Sequence, residues 1–202
     1  MKLQDSLPAG VTVDGKFYKL DFDFRNVLRM METLDNDDLI PGAREYLAVK
    51  CLTKRPRNVP KVLGAVKALL FGARDDEAGW QKPKGEKVTS FEQDAGLIRT
   101  AFKQAYGIDL FRDKLHWLEF IELLRNLPEG SRYTEIVSIR CRPIPAATKY
   151  NAKEREWLVK AKAQCALQMT EKEAARKYNR DVGNVFAGVF SMMQKEVGTH
   201  GK

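Results

Sequence analysis

Ser90-Phe91-Glu92-Gln93-Asp94-Ala95-Gly96-Leu97-Ile98-Arg99-Thr100-Ala101-Phe102-Lys103-Gln104-Ala105-Tyr106-Gly107 decides how the chain is built. Ser90 with Gln93 three residues on has the form of a capping box, in which two side chains satisfy donors left open at a helix start. Phe91, Ala95, Ile98, Phe102 and Ala105 then recur at helical spacing. Gly107 stands where a left-handed residue ends a helix. The stretch predicts a capped amphipathic helix with an aromatic inner face.

Reading toward the C-terminus, a second helix is predicted over about Lys114 to Asn126. Its Trp117, Leu118, Phe120, Ile121 and Leu124 spread round much of the circumference, which predicts the most buried element of the fold. Leu127-Pro128-Glu129-Gly130 terminates it. A third, short helix is predicted from about Tyr133 to Arg140 with Ile136 and Ile139 inward, and Pro143 and Pro145 mark a boundary. Glu154 to Met169 reads as a helix with Trp157, Leu158, Ala161 and Cys165 on one face. Thr170-Glu171-Lys172-Glu173 repeats the capping-box form. Val182, Val185, Phe186, Val189 and Met193 follow as an amphipathic stripe, with Gly183 as a break.

Reading toward the N-terminus, residues 72–89 lose all periodicity and read as a polar loop or linker. Pro60 opens a predicted helix with Val62, Leu63, Val66, Leu69 and Leu70 apolar. Pro41 suits the first turn of another, over Ala43 to Thr53, after the turn Asp35-Asn36-Asp37-Asp38. Asp21 or Asp23 caps a helix running to about Leu34 with Phe24, Val27, Leu28 and Met31 on one stripe. Val11-Thr12-Val13 and Phe17-Tyr18-Lys19-Leu20 alternate about Asp14-Gly15, whose tolerance of positive φ predicts a tight hairpin. Two strands alone are marginal, so the ribbon must pack on something else. The expected fold is mainly α, a helical bundle with a short N-terminal β-hairpin and a helical C-terminal extension. Its parts are residues 6–145 and residues 146–202.

Hydrophobic residues make up 44% and charged residues 31% of the 202, a globular composition that excludes a disordered chain. Three cysteines without a C-x-x-C exclude a disulfide scaffold and a zinc ribbon. Met1-Lys2-Leu3-Gln4-Asp5 lacks the apolar run of a signal peptide, and Leu63 to Phe71, broken by Lys67, is too short to span a bilayer. The expectation is a cytoplasmic protein.

The net charge of +8 is uneven. Residues 1–45 hold six bases and nine acids, residues 46–89 ten and four, residues 90–145 eight of each, and residues 146–202 eleven and six. A basic excess permits nucleic acid as a partner, and equally any acidic surface or plain solvation.

Little in the chain can carry covalent chemistry. Glu119 and Glu122 share a helical turn, but the histidine or metal set that would use them is missing. His116 lies between Leu115 and Trp117 and reads as a partly buried imidazole bonded to backbone; His200 is in a polar tail. No phosphate-binding loop or nucleophile elbow occurs. Ser90 and Ser131 read as caps, and Cys51 and Cys165 as small hydrophobes on apolar faces. No enzyme, cofactor or metal is expected. Two binding readings compete with a core role for the last helical region. Residues 170–195 could form a helix-turn-helix that lies in the major groove. Yet the exposed face after Gly183 offers only Asn184, Ser191 and Gln194 before Lys195, too few donors to read bases. The alternative is a helix whose stripe of Val182, Val185, Phe186, Val189 and Met193 meets an apolar surface on a partner.

Phe91-Glu92-Gln93-Asp94-Ala95, Ile98, Ala101-Phe102, Gln104 and Tyr106-Gly107-Ile108-Asp109-Leu110 together form a signature similar to that of a family of bacteriophage proteins encoded beside the tail tape-measure gene. The likeness continues through Leu115-His116-Trp117, Phe120, Leu124, Leu127-Pro128-Glu129, Ile136 and Ile139-Arg140. At the front it takes in Leu7-Pro8, Val13, Gly15, Tyr18 and Asp23-Phe24-Arg25. It covers roughly residues 6 to 142. Trp117-Leu118 stands where the family often has two tryptophans, and the chain after Arg142 runs past the family's usual end.

The resemblance implies a non-enzymatic tail assembly chaperone of long-tailed phages. Such a protein would bind the tape measure protein, with the tail tube protein as a second candidate, and would self-associate when bound. It would act in the host cell cytoplasm, away from membranes and nucleic acid, and be absent from the mature virion. The competing functions are the helix-turn-helix reading and a structural tail or head-tail component.

Overall fold

The computed structural model describes residues 4–72 and 88–168. In chain order the elements are β1 (Gly10–Val13), β2 (Lys16–Lys19), α1 (Phe24–Asp35), α2 (Pro41–Leu52), α3 (Val59–Phe71), α4 (Ala95–Tyr106), α5 (Trp117–Arg125), α6 (Arg132–Cys141) and α7 (Ala152–Cys165). The fold is mainly α, with one two-stranded antiparallel hairpin at the front. None of the described helices is long and apolar enough to cross a membrane.

The hairpin pairs Gly10 with Lys19 and Val13 with Lys16, which leaves Asp14 and Gly15 as a two-residue loop. Both have positive φ, 50° and 71°, the geometry whose twist matches that of the strands. Val11 and Val13 face inward and pack beside α3. Gly10 is needed for another reason. A Cβ there would run into the Tyr18 carbonyl oxygen and lie 2.8 Å from the Phe17 ring. We expect Gly10→Ala to destabilise the protein by ~1–3 kcal/mol through overpacking, read as a lower urea midpoint at unchanged slope. A midpoint equal to that of the parent would show that the ribbon gives way freely.

The Asp23 carboxylate caps α1 by accepting from the Arg25 N–H at 3.0 Å. The inward row is Phe24, Val27 and Met30, an i, i+3 ladder, so Met30 takes the fully buried place expected of Met31. Leu28 and Met31 are half-buried at its side. α3 buries Val62, Leu63, Val66 and Leu70 and leaves Leu69 at the surface. It is more enclosed than α5, which fully buries only Trp117 and Phe120. The wide apolar girth of α5 is met by neighbours on part of its circumference, so Leu118, Ile121 and Leu124 stay half-buried.

The two halves of the chain are stitched by a short antiparallel bridge between Asp23 and His116. The Phe24 N–H donates to the Leu115 carbonyl at 3.0 Å, and the Trp117 N–H to the Phe22 carbonyl at 2.8 Å. This bridge sets α1 against α5 and brings the aromatic core together. Phe120 is its hub, stacked on Phe24 at 4.7 Å and on Phe102 at 5.3 Å between ring centroids, with Trp117 and Phe91 about its edges.

α4 starts at Ala95 rather than at Ser90, because residues 91–94 form a turn of their own. Ser90 Oγ accepts from the Gln93 N–H as a cap should, but the return bond to the Ser90 N–H comes from Asp94 Oδ2 at 2.9 Å, not from Gln93. The Gln93 amide is occupied elsewhere: it exchanges two hydrogen bonds, of 2.7 and 2.8 Å, with the backbone of Gln168. Gly107 ends the helix with φ of 71°, as its position predicts. Ser131 caps α6, where Tyr133 and Ile136 are buried and Ile139 half-buried.

α7 corrects one expectation. Of Trp157, Leu158, Ala161 and Cys165, only Leu158 is fully buried; Trp157 is 54% exposed. Three consecutive apolar residues, 157 to 159, sweep about 200° of a helix, so a helix packed on one side can bury only the middle one. Trp157 and Val159 emerge on either flank.

Candidate interaction surface

Several of the residues that the sequence offers for chemistry are taken up by folding. His116 is the N-cap of α5: its Nδ1 accepts from the Leu118 N–H at 3.2 Å. Its Nε2 lies 3.1 Å from the Pro8 carbonyl, which only accepts, so Nε2 carries the proton and donates. The ring therefore clasps the N-terminal segment to the second half of the chain, 108 residues away in sequence. Ser131 caps α6 and Ser90 caps the turn before α4. Cys51 donates to its own helix at the Leu47 carbonyl, 3.4 Å away, and Cys165 is half-buried. Glu119 and Glu122 point to solvent. Among the described residues no three of His, Cys, Asp and Glu come together as a metal site would need.

The strongest electrostatic feature joins α4, α6 and α7. Asp94, whose side chain is 2% exposed, receives both terminal nitrogens of Arg140 at 2.8 and 3.0 Å. The planar guanidinium matches a carboxylate in this two-point fashion. Arg140 also donates to the Val88 carbonyl at 3.1 Å and to the Cys165 carbonyl, and Lys162 returns a bond to the Arg140 carbonyl at 2.7 Å. One guanidinium thus fixes where the segment entering α4 begins and where α7 ends. This is a structural clamp, with four of the five guanidinium N–H groups of Arg140 bonded within the protein.

What faces outward is of two kinds. The first is apolar. Tyr150, Trp157, Val159 and Ile144 are all exposed around α7. A shallow groove of about 370 Å³ runs along one side of the helix between Ala147, Asn151, Arg155 and Val159. Large apolar side chains held open beside a helix that buries only Leu158 are usual material of a protein-binding surface.

The second is charge. From residue 46 to residue 72 the chain has six bases and no acid. Lys54, Arg55 and Arg57 project from the loop between α2 and α3. Lys61 bonds Asp14 at the hairpin tip at 2.8 Å, which holds the Asp14 carboxyl below the usual carboxylate range and raises Lys61. Asp109 is lowered too, first by the Phe111 N–H it accepts and then by Lys103. Both pairs lie at the surface and order loops.

The sequence-predicted partner-binding residues Val182, Val185, Phe186, Val189 and Met193 lie outside the described residues, as do the rest of the helix-turn-helix candidate and residues 73–87. Sequence reasoning missed Trp157 and Tyr150 as exposed and missed the pairing of Asp94 with Arg140. The signal for the first was present: an apolar triplet among Lys153, Glu154, Arg155, Glu156 and Lys160 cannot all face one way. The pairing left no local signal, because its partners stand 46 residues apart.

Residues 3–167 match the model of the family described as Bacteriophage Gp15 protein, a span that takes in every element from β1 to α7 and so runs past Arg142, where the sequence placed the family's usual end. No curated protein and no solved structure gives a significant match.

Proposed function

The chain belongs to the bacteriophage Gp15 protein family, and on that premise we propose that it is a non-enzymatic tail assembly chaperone. It binds the tape measure protein in the host cytoplasm while a long tail is built, and leaves before the virion is complete. The observation that carries this reading is the outward display of Trp157 at 54% and Tyr150 at 93% exposure on a fold whose buried ion pair and helix-capping side chains serve its own scaffold. A tape measure is a long helix with apolar stripes that aggregate when bare. A protein that shields it needs modest apolar contacts, repeated over many copies, and no bond made or broken.

The test is co-purification of tagged tape measure protein with the full chain. We expect Trp157→Ala to weaken capture by about tenfold or more, as loss of an aromatic anchor does. Replacing Val185, Phe186 and Val189 together by Asp probes the second expected contact. Unchanged capture by both folded variants would overturn the reading. A salt-dependent grip on one DNA operator, lost in changes within residues 170–195, would favour the helix-turn-helix alternative. Recovery of the protein from purified virions would mark it instead as a structural component.

A further inference from the structure

α7 is a helix of 14 residues that fully buries one of them, Leu158. A helix of this length is marginal in water by itself and draws its stability from a packed face. Its neighbour is α6, and Arg140 holds its C-terminal end at the Cys165 carbonyl. Ten large hydrophobic side chains are exposed among the described residues, and four of them lie within residues 144–159: Ile144, Tyr150, Trp157 and Val159. The other six are spread from Leu7 to Phe111. The uncovered apolar surface is therefore concentrated on the last described element.

The chain leaves that element at a pinned point. Gln168 exchanges two hydrogen bonds with the Gln93 side chain, three residues past the end of α7. Another 34 residues follow it, and they carry the second apolar surface, Val182, Val185, Phe186, Val189 and Met193 at helical spacing. Reach decides whether the two can meet. Trp157 stands eight residues before Cys165, about 12 Å back along α7. The 13 residues from 169 to 181 span about 20 Å as a helix and about 43 Å fully extended. In either form the stripe reaches Trp157.

We propose that in the free chain residues 182–193 lie against the Trp157 flank of α7. Each apolar face then removes from water what the other leaves bare. The tether favours this occupant over a second copy of the chain. A short linker holds the stripe at an effective concentration of about millimolar, which separate molecules in dilute solution do not match. The inference concerns the chain alone and does not rest on the chaperone reading; a tape measure would take the same flank by displacing the segment.

Hydrogen exchange of the full chain, followed peptide by peptide, decides it. Replacing Val185, Phe186 and Val189 together by Asp should speed exchange of the α7 amides by about tenfold or more, since the helix loses a packed face. The amides of α3 and α5 should keep their rates, which shows that the core is intact. Phe186→Ala, a gentler change, should move the same α7 amides the same way by a smaller factor. Conversely, Trp157→Ala should speed exchange across residues 182–193 and spare α3 and α5. Sedimentation velocity at the same dilution should give the 23.0 kDa of one chain. α7 exchange that neither tail variant alters overturns the proposal. So does α7 protection that fades on dilution alongside a mass above one chain, which would assign the flank to a second copy. No tape measure is present, so failure of co-purification leaves this result standing, and the reverse holds as well.

Discussion

Asp94→Ala lowers the stability of the folded protein by about 3–5 kcal/mol, the range found when one partner of a buried ion pair is removed. The reason lies less in the attraction lost than in what is left behind. Arg140, 11% exposed at its side chain, keeps its charge and loses the two oxygens that answered it. The Ser90 N–H also loses its acceptor, which loosens the turn leading into α4. The check is urea unfolding followed by circular dichroism, with Arg140→Met and the Asp94→Ala/Arg140→Met pair completing a double-mutant cycle. The paired variant should recover much of the loss, since two apolar side chains leave no stranded charge there. Recovery will be incomplete, because the carbonyls of Val88 and Cys165 lose the donor they shared. A loss below about 1 kcal/mol for Asp94→Ala would mean that water reaches the pair and that it behaves as a surface bridge.

The second large effect is expected of Phe120→Ala, about 3–5 kcal/mol. Phe120 is 1% exposed and touches rings from four other places in the chain: Phe24 on α1, Phe91 in the turn before α4, Phe102 on α4 and Trp117 one turn back on α5. Truncation removes its own transfer energy and opens a cavity that these partners cannot collapse into, each being held by its own helix or turn. In a chain of this size each kcal/mol moves the melting temperature by ~2–4 °C, so calorimetry should show a drop of about 10 °C. Phe120→Leu, which keeps most of the volume, should lose under about 1.5 kcal/mol. If Phe120→Leu melts with the parent, the ring stack contributes nothing beyond its bulk.

Both sites show where reading along the chain succeeds and where it stops. Phe120 was legible as an inward residue because its neighbours at helical spacing are apolar. That it is the meeting point of α1, α4 and α5 was not legible, because the bridge from Asp23 to His116 that draws α1 over α5 is made of backbone hydrogen bonds. The capping box at Ser90 was half right. Ser90 does cap, but Gln93 is drawn away by Gln168, 75 residues on, and Asp94 takes its place. The apolar face of α7 was misplaced because a helix does not reveal from its own residues which of its sides a neighbour will cover. Trp157, the residue on which the functional reading now leans, stood in the sequence as core.

What the sequence determined by itself is everything settled within a few residues. Asp14-Gly15 makes the hairpin, because both residues accept positive φ where most side chains resist. Asp23, Ser131 and Gly107 start and stop their helices, because caps bond to amides within about one turn. The absence of phosphate-loop and nucleophile motifs likewise was read from spacing. Only the tertiary structure decided which candidates are sealed in and which face water. It paired Asp94 with Arg140, turned His116 into a clasp on Pro8, and set Trp157 outside Leu158. Those outcomes depend on what packs beside each residue, and packing is fixed by the competition of all helices for one core, not by any stretch of chain alone.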